Sequence, residues 1–140
     1  MLHCSVNDRL TGTRRCGAMD KSQRNRSKPH LVAVTRDGIA AEVSRPDPAK
    51  RVAGNPAHTT WNIEHRDGHY CGIWQSPPGR FRVDYTEWEY VFIREGISNP
   101  TDDLGHPITL RAGDSMIIRP GFRRVWTVVE TTVKDCVIRV

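Results

Sequence analysis

The feature that most restricts what this chain can fold into is its punctuation. After residue 60 the sequence breaks into short runs of alternating apolar and polar residues, each closed by turn-forming residues. Trp61, Ile63 and His65 alternate with Asn62, Glu64 and Arg66 before Asp67-Gly68 intervenes. Such alternation places successive side chains on opposite faces of a strand. Asp-Gly suits the hairpin turn whose two central residues both take positive φ. The returning run, His69 to Gln75, ends at Pro77-Pro78-Gly79, and Phe81, Val83 and Tyr85 then alternate with Arg80, Arg82 and Asp84. Tyr90 to Ile93 is apolar on both faces, as in a strand between two packed layers. Further strands are expected at Pro107 to Arg111, Met116 to Ile118, Arg124 to Glu130 and Lys134 to Val140, set off by a loop from Ser98 to Gly105, Ala112-Gly113-Asp114 and Pro120-Gly121. Leu31 to Val34 offers an earlier one, and the stretch from Ser44 to Pro56 is irregular. The spacing predicts about eight or nine short strands, an all-β sandwich or barrel. Eight strands in two facing sheets make a jelly roll.

The chain has 140 residues, a one-domain length that can bury a real core. No apolar run approaches the roughly 18 residues of a membrane span, and the first residues lack the apolar centre of a secretory signal. The net charge of +5 is unevenly placed, because residues 1–28 carry seven basic residues against Asp8 and Asp20. The rest is neutral, so residues 1–28 are expected to be a disordered basic leader and 29–140 a single domain. Met19 also reads as an alternative start. Two sharper readings of the leader are an arm attracted to nucleic acid or lipid and an arginine-rich targeting peptide. Cys4, Cys16, Cys71 and Cys136 show no paired spacing, which points to free thiols in a reducing cytoplasm.

Particular residues then point to a family. Gly72-Ile73-Trp74, Pro78-Gly79, Val83-Asp84-Tyr85-Thr86-Glu87, Glu89 and Glu95-Gly96 resemble a first cupin motif. Gly113-Asp114, Pro120-Gly121-Phe122 and Trp126 resemble the second. The whole is similar to the small single-domain cupins related to ureidoglycine aminohydrolase and to ethanolamine-utilisation cupins. The resemblance implies an RmlC-like jelly roll, a double-stranded β-barrel, and a homodimer paired through sheet edges. Metal-binding cupins use His-x-His, a glutamate four residues on, and a histidine from the second motif. Aligned on Glu89 and Gly96, the two histidine places hold Val83 and Tyr85, the glutamate place holds Glu89, and the last histidine place falls on Arg124. Valine offers no ligand atom and arginine no lone pair, so no metal and no other cofactor is expected.

Even spacing along Val83, Tyr85, Glu87 and Glu89, and along Arg124, Trp126 and Val128, aims side chains at one interior. Glu87 is the least secure, since a loop between Tyr85 and Glu89 would break the register. Tyr85, Glu87 and Glu89 are therefore the candidate catalytic residues, and Arg124, Trp126, Trp74 and Lys134 the candidate substrate contacts. In one reading Arg124 clamps a carboxylate, amide or ureido ligand, with Glu87 or Glu89 as general base for hydrolysis or isomerisation. In the other, Arg124 pairs with Glu89 as its counter-ion and the barrel is a non-catalytic dimeric interaction module. Lys134 is also read as an exposed edge lysine. His65 and His69 fall on opposite arms of the hairpin and read as exposed, while His3, His30, His58 and His106 are expected in loops. Partners are thus a small-molecule ligand and a second copy, with no membrane, and nucleic acid only through the leader.

Overall fold

The computed structural model describes residues 29–140, so the expected leader, with His3, Cys4, Cys16 and Met19, lies outside the described residues. Nine strands follow one another: β1 (Ala41–Ser44), β2 (Arg51–Ala53), β3 (His58–Arg66), β4 (His69–Ser76), β5 (Gly79–Asp84), β6 (Trp88–Pro100), β7 (Leu110–Arg111), β8 (Ser115–Ile118) and β9 (Arg123–Arg139). All their pairings are antiparallel. The described residues include no α-helix, only a 3-10 turn at Pro48–Lys50 capped by the Asp47 carboxylate. None is therefore long and apolar enough to cross a membrane.

The sheet curls around β9. Residues 123–128 of that strand pair with β5 and residues 132–139 with β4, while β6 runs along it from Trp88 to Pro100. The order β1-β3-β4-β9-β5-β2, with β6 carrying β7 and β8, wraps one interior. This is the curled all-β barrel that the alternation implies and that the cupin-like motifs lead one to expect. At the β3–β4 turn, Asp67 and Gly68 have φ of 51° and 75°, the backbone that the Asp-Gly pair predicts. The interior is filled by Trp74, Phe81, Val83, Tyr85, Val91, Ile93, Trp126, Val128, Cys136 and Ile138. Each large apolar side chain so buried contributes roughly 1.5–3 kcal/mol.

Besides β2, which arises inside the stretch from Ser44 to Pro56 expected to be irregular, three expectations about the strands need correction. Leu31 to Val34 is not a strand; it forms no ladder, and the first pairing begins at Ala41. Residues 124–130 and 134–140, expected as two strands, belong to one, because β9 bends without leaving the ladder to β6. Register shifts between Ile93 and Ser98 absorb that bend. The third concerns the expected loop from Ser98, which starts only after Pro100, while β7 shrinks to Leu110–Arg111. At the bend Gly96 has a φ of 87°, and a Cβ there would lie 2.1 Å from the Thr131 carbonyl oxygen. Only glycine permits that crossing.

Candidate functional site

Sheet register decides what meets inside. Thr60, Trp74, Lys134 and Ile93 form one row across β3, β4, β9 and β6, so their side chains share a face. In phase with Cys136 and Ile138, Lys134 points inward and is fully buried. Its Nζ lies 3.0 Å from Glu89 Oε1, with the two side chains 0% and 1% exposed. The same ammonium lies over the rings of Trp74, at 5.0 Å, and Trp126, at 5.2 Å. Burial pushes the Glu89 carboxyl up from the usual carboxylate range, while Lys134, Cys136 and Tyr85 beside it favour the charged form. Thus Tyr85, Glu89, Trp74, Trp126 and Lys134 converge, five of the seven expected site residues.

Arg124 does not join them. Arg124 stands opposite Val83 near the start of β9, far along the strand from Ile138, which faces Glu89. Its guanidinium is spent on backbone carbonyls: Nε donates to Asp102 at 3.1 Å, Nη2 to Asp103 at 2.8 Å and Nη1 to Arg123 at 3.0 Å. The expected Arg124–Glu89 pair is therefore corrected to Lys134–Glu89, and the expected exposed edge lysine is the buried partner. Glu87 is half-buried in the break between β5 and β6, where the register is lost.

His58 also departs from expectation. It opens β3 rather than lying in a loop, and its ring packs 5.0 Å from Trp74 and 4.8 Å from Phe81. Burial, reinforced by the Lys134 charge, lowers its pKa to about 4, and Nε2 has no hydrogen-bond partner among the described residues. His65, His69, His30 and His106 are exposed.

One end of the barrel opens into a cavity of about 420 Å³. Ile108, Met116, Ile118, Phe122 and Trp126 supply its apolar wall, and Asp102, Asp103 and Arg119 its polar rim. Trp126 is the one expected site residue that lines it; Arg124 acts behind it, by tying down the carbonyls of the Asp102-Asp103 rim. That loop is otherwise built on Asp102, whose Oδ1 accepts from the amides of Leu104 and His106 at 2.9 and 2.8 Å. Asp102, Asp103 and Arg119 are not among the site residues that the sequence predicts. Nothing local marks them, since the pocket is made by strands distant in sequence. The indole Nε1 of Trp126 is buried and has no hydrogen-bond partner among the described residues.

A cupin metal does not fit these residues. Val83 has no donor atom, Arg124 is a cation engaged elsewhere, and the Glu89 carboxylate already holds an ammonium. Among the described residues no group of three or more His, Cys, Asp or Glu side chains is placed to hold an ion.

Comparison with known proteins agrees with this architecture. Among solved structures, a protein of unknown function of the DUF861 family from Pseudomonas syringae superposes with a TM-score of 0.65 at 20% identity, over 71% of this chain and 43% of that one. The chain thus spans less than half of that relative. The EutQ protein of Clostridium difficile gives 0.58 at 16% identity, over 70% and 79% of the two chains. The polyketide cyclase RemF of Streptomyces resistomycificus gives 0.60 at 16% identity, over 78% and 79%. At such identities the likeness is one of fold. No curated protein matches the sequence. The description that covers most of the motif-bearing strands is the EutQ-like cupin domain, matched over residues 63–135, and it is to this family that the chain belongs.

Proposed function

We propose that this chain is a cupin that binds a small polar metabolite in the pocket at the barrel mouth without a metal. The ligand is a compact carboxylate, amide or ureido compound. The observation that carries this reading is a cavity whose apolar wall meets a charged rim and whose lining includes Trp126, with a buried Nε1 donor that has no acceptor among the described residues. An unsatisfied buried donor costs free energy that a ligand oxygen would recover. Arg119 at the rim suits a ligand carboxylate through its planar fork. The small-molecule sites of proteins share this plan of apolar walls and few polar groups.

Catalysis is a lesser part of the reading. Tyr85 and Glu89 are almost fully buried and are not among the residues lining the cavity. None of Tyr85, Glu87 and Glu89 lines the cavity, so hydrolysis or isomerisation through them is secondary and recognition is the function we assign to the pocket. The free thiols Cys71 and Cys136 support work in a reducing compartment, the cytoplasm.

The decisive measurement is calorimetric titration of small carboxylates, amides and ureides. Trp126→Phe removes the donor and keeps the ring, and should weaken binding roughly 5–10-fold. A panel without a single binder, or unchanged affinity in the variant, overturns the assignment.

A second reading, the homodimer, is favoured by one row on the outer face. Register aligns Cys71, Val137, Tyr90 and Ile117 across four strands, and Tyr90 and Ile117 are 37% and 53% exposed. An uncharged apolar row is self-complementary, as a two-fold interface requires. Tyr90→Arg should then shift a sedimenting dimer to monomer; a monomeric wild type removes the idea.

A further inference from the structure

We propose that the Lys134 ammonium is the resident cation of this barrel, holding on Glu89 the place that a divalent metal holds in histidine-bearing cupins, so that the folded chain neither needs nor admits a metal there. The inference deepens the metal-free part of the proposed function and is independent of which ligand enters the mouth.

The misfit of a metal is only half of the argument. The other half is that the site is built for an ammonium. Lys134 has no exposed surface, yet its charge meets electron density on three sides: the Glu89 carboxylate at 3.0 Å and the faces of Trp74 and Trp126 at 5.0 and 5.2 Å. A buried ammonium is tolerated only with such compensation. The aromatic faces supply a cation–π attraction that strengthens as water is excluded. On the other side of the pair, Glu89 Oε1 already accepts a hydrogen bond from the Lys134 ammonium. A second cation would have to enter beside the Lys134 ammonium in a low-dielectric interior, where like charges repel strongly. His58, the only buried histidine among the described residues, does not form with Glu89 a group of three side chains placed to hold an ion.

The pair therefore makes a falsifiable statement about coupling. Either partner alone is an uncompensated buried charge, whereas replacing both leaves none. The full chain, purified without added metal, should contain no stoichiometric transition metal by elemental analysis. Its melting temperature should be unmoved by chelator or by manganese, zinc or nickel ions. Lys134→Met and Glu89→Gln should each lower the melting temperature by roughly 10 °C or more, or prevent folding. The double variant Glu89→Gln/Lys134→Met should fold and melt within a few degrees of wild type. About one equivalent of metal whose removal lowers the melting temperature would overturn the proposal. So would a double variant that fails to fold or whose loss equals the sum of the single losses, since each residue would then act independently. None of these readouts depends on ligand binding, so failure of the titration with Trp126→Phe leaves the proposal standing, and its own failure leaves that titration interpretable.

Discussion

A neutral imidazole held inside an apolar shell makes His58 the residue through which acid should first reach this fold. Burial and the Lys134 charge lower its pKa from 6.5 to about 4. The folded state therefore binds fewer protons than the unfolded chain between those values. The stabilisation is full above pH 6.5 and is lost as pH falls towards 4, amounting to about 3 kcal/mol from this one group. Urea unfolding from pH 7 to pH 4 should show that loss, and His58→Leu should flatten the slope over the same window. An identical slope in the variant would assign the acid sensitivity elsewhere. Residue identity was readable in advance where phase alone decided it. Tyr85, Glu89 and Trp126 fall inside because alternation from Val83 and Val128 puts them there. Lys134 was legible by the same rule, being in phase with Cys136 and Ile138, but the prior that lysine lies outside competes with it. The rule could not say which cation Glu89 takes, because partner choice depends on position along β9 rather than on face: Lys134 sits in the row of Ile93, four residues from Glu89, and Arg124 sits at the far end.

Among the elements, β6 and β9 carry the strain. Their ladder runs for most of both strands, and its register slips around Glu95 and Ile97 where β9 bends. Gly96 absorbs the slip, with a left-handed backbone and no room for a Cβ against Thr131. Gly96→Ala should cost about 3 kcal/mol or more, from positive φ and steric overlap together, measured as a shift of the urea midpoint. A cost below about 1 kcal/mol would mean that the crossing can relax. Turns and hairpins were the most legible elements because their chemistry is local: Asp67-Gly68 fixes its own φ values. The bend of β9 was not, since Thr131 to Val133 reads as a gap between two strands until the partner strand is known to continue alongside. The same limit applies to the mouth pocket. Its rim is assembled from the loop after β6 and the loop after β8, with Arg124 of β9 tying the first of them in place through two carbonyls.

At the scale of the molecule, β9 is the strand on which the others depend. It pairs with β4, β5 and β6, and supplies Trp126, Lys134, Cys136 and Ile138 to the interior. These contacts join residues far apart in sequence, such as Trp74 with Lys134 and Glu89 with Ile138. Topologies of this kind fold slowly and only once the distant strand has arrived. Deleting residues 132–140 removes all of the pairing of β9 to β4, most of its pairing to β6 and the cation of Glu89. The truncated chain should show no cooperative thermal transition and should bind dyes that report exposed apolar surface. Removing residues 1–40 tests the opposite end. Residues 29–40 contribute no strand and touch the barrel through side contacts, such as Arg36 on Trp61 and Arg94 on the Val34 carbonyl. That deletion should lower the melting temperature by only a few degrees and keep one sharp transition. If the chain without 132–140 also melted sharply, the barrel would close without β9's second half, and the cooperative unit would have to be sought in β3, β4 and β5 alone.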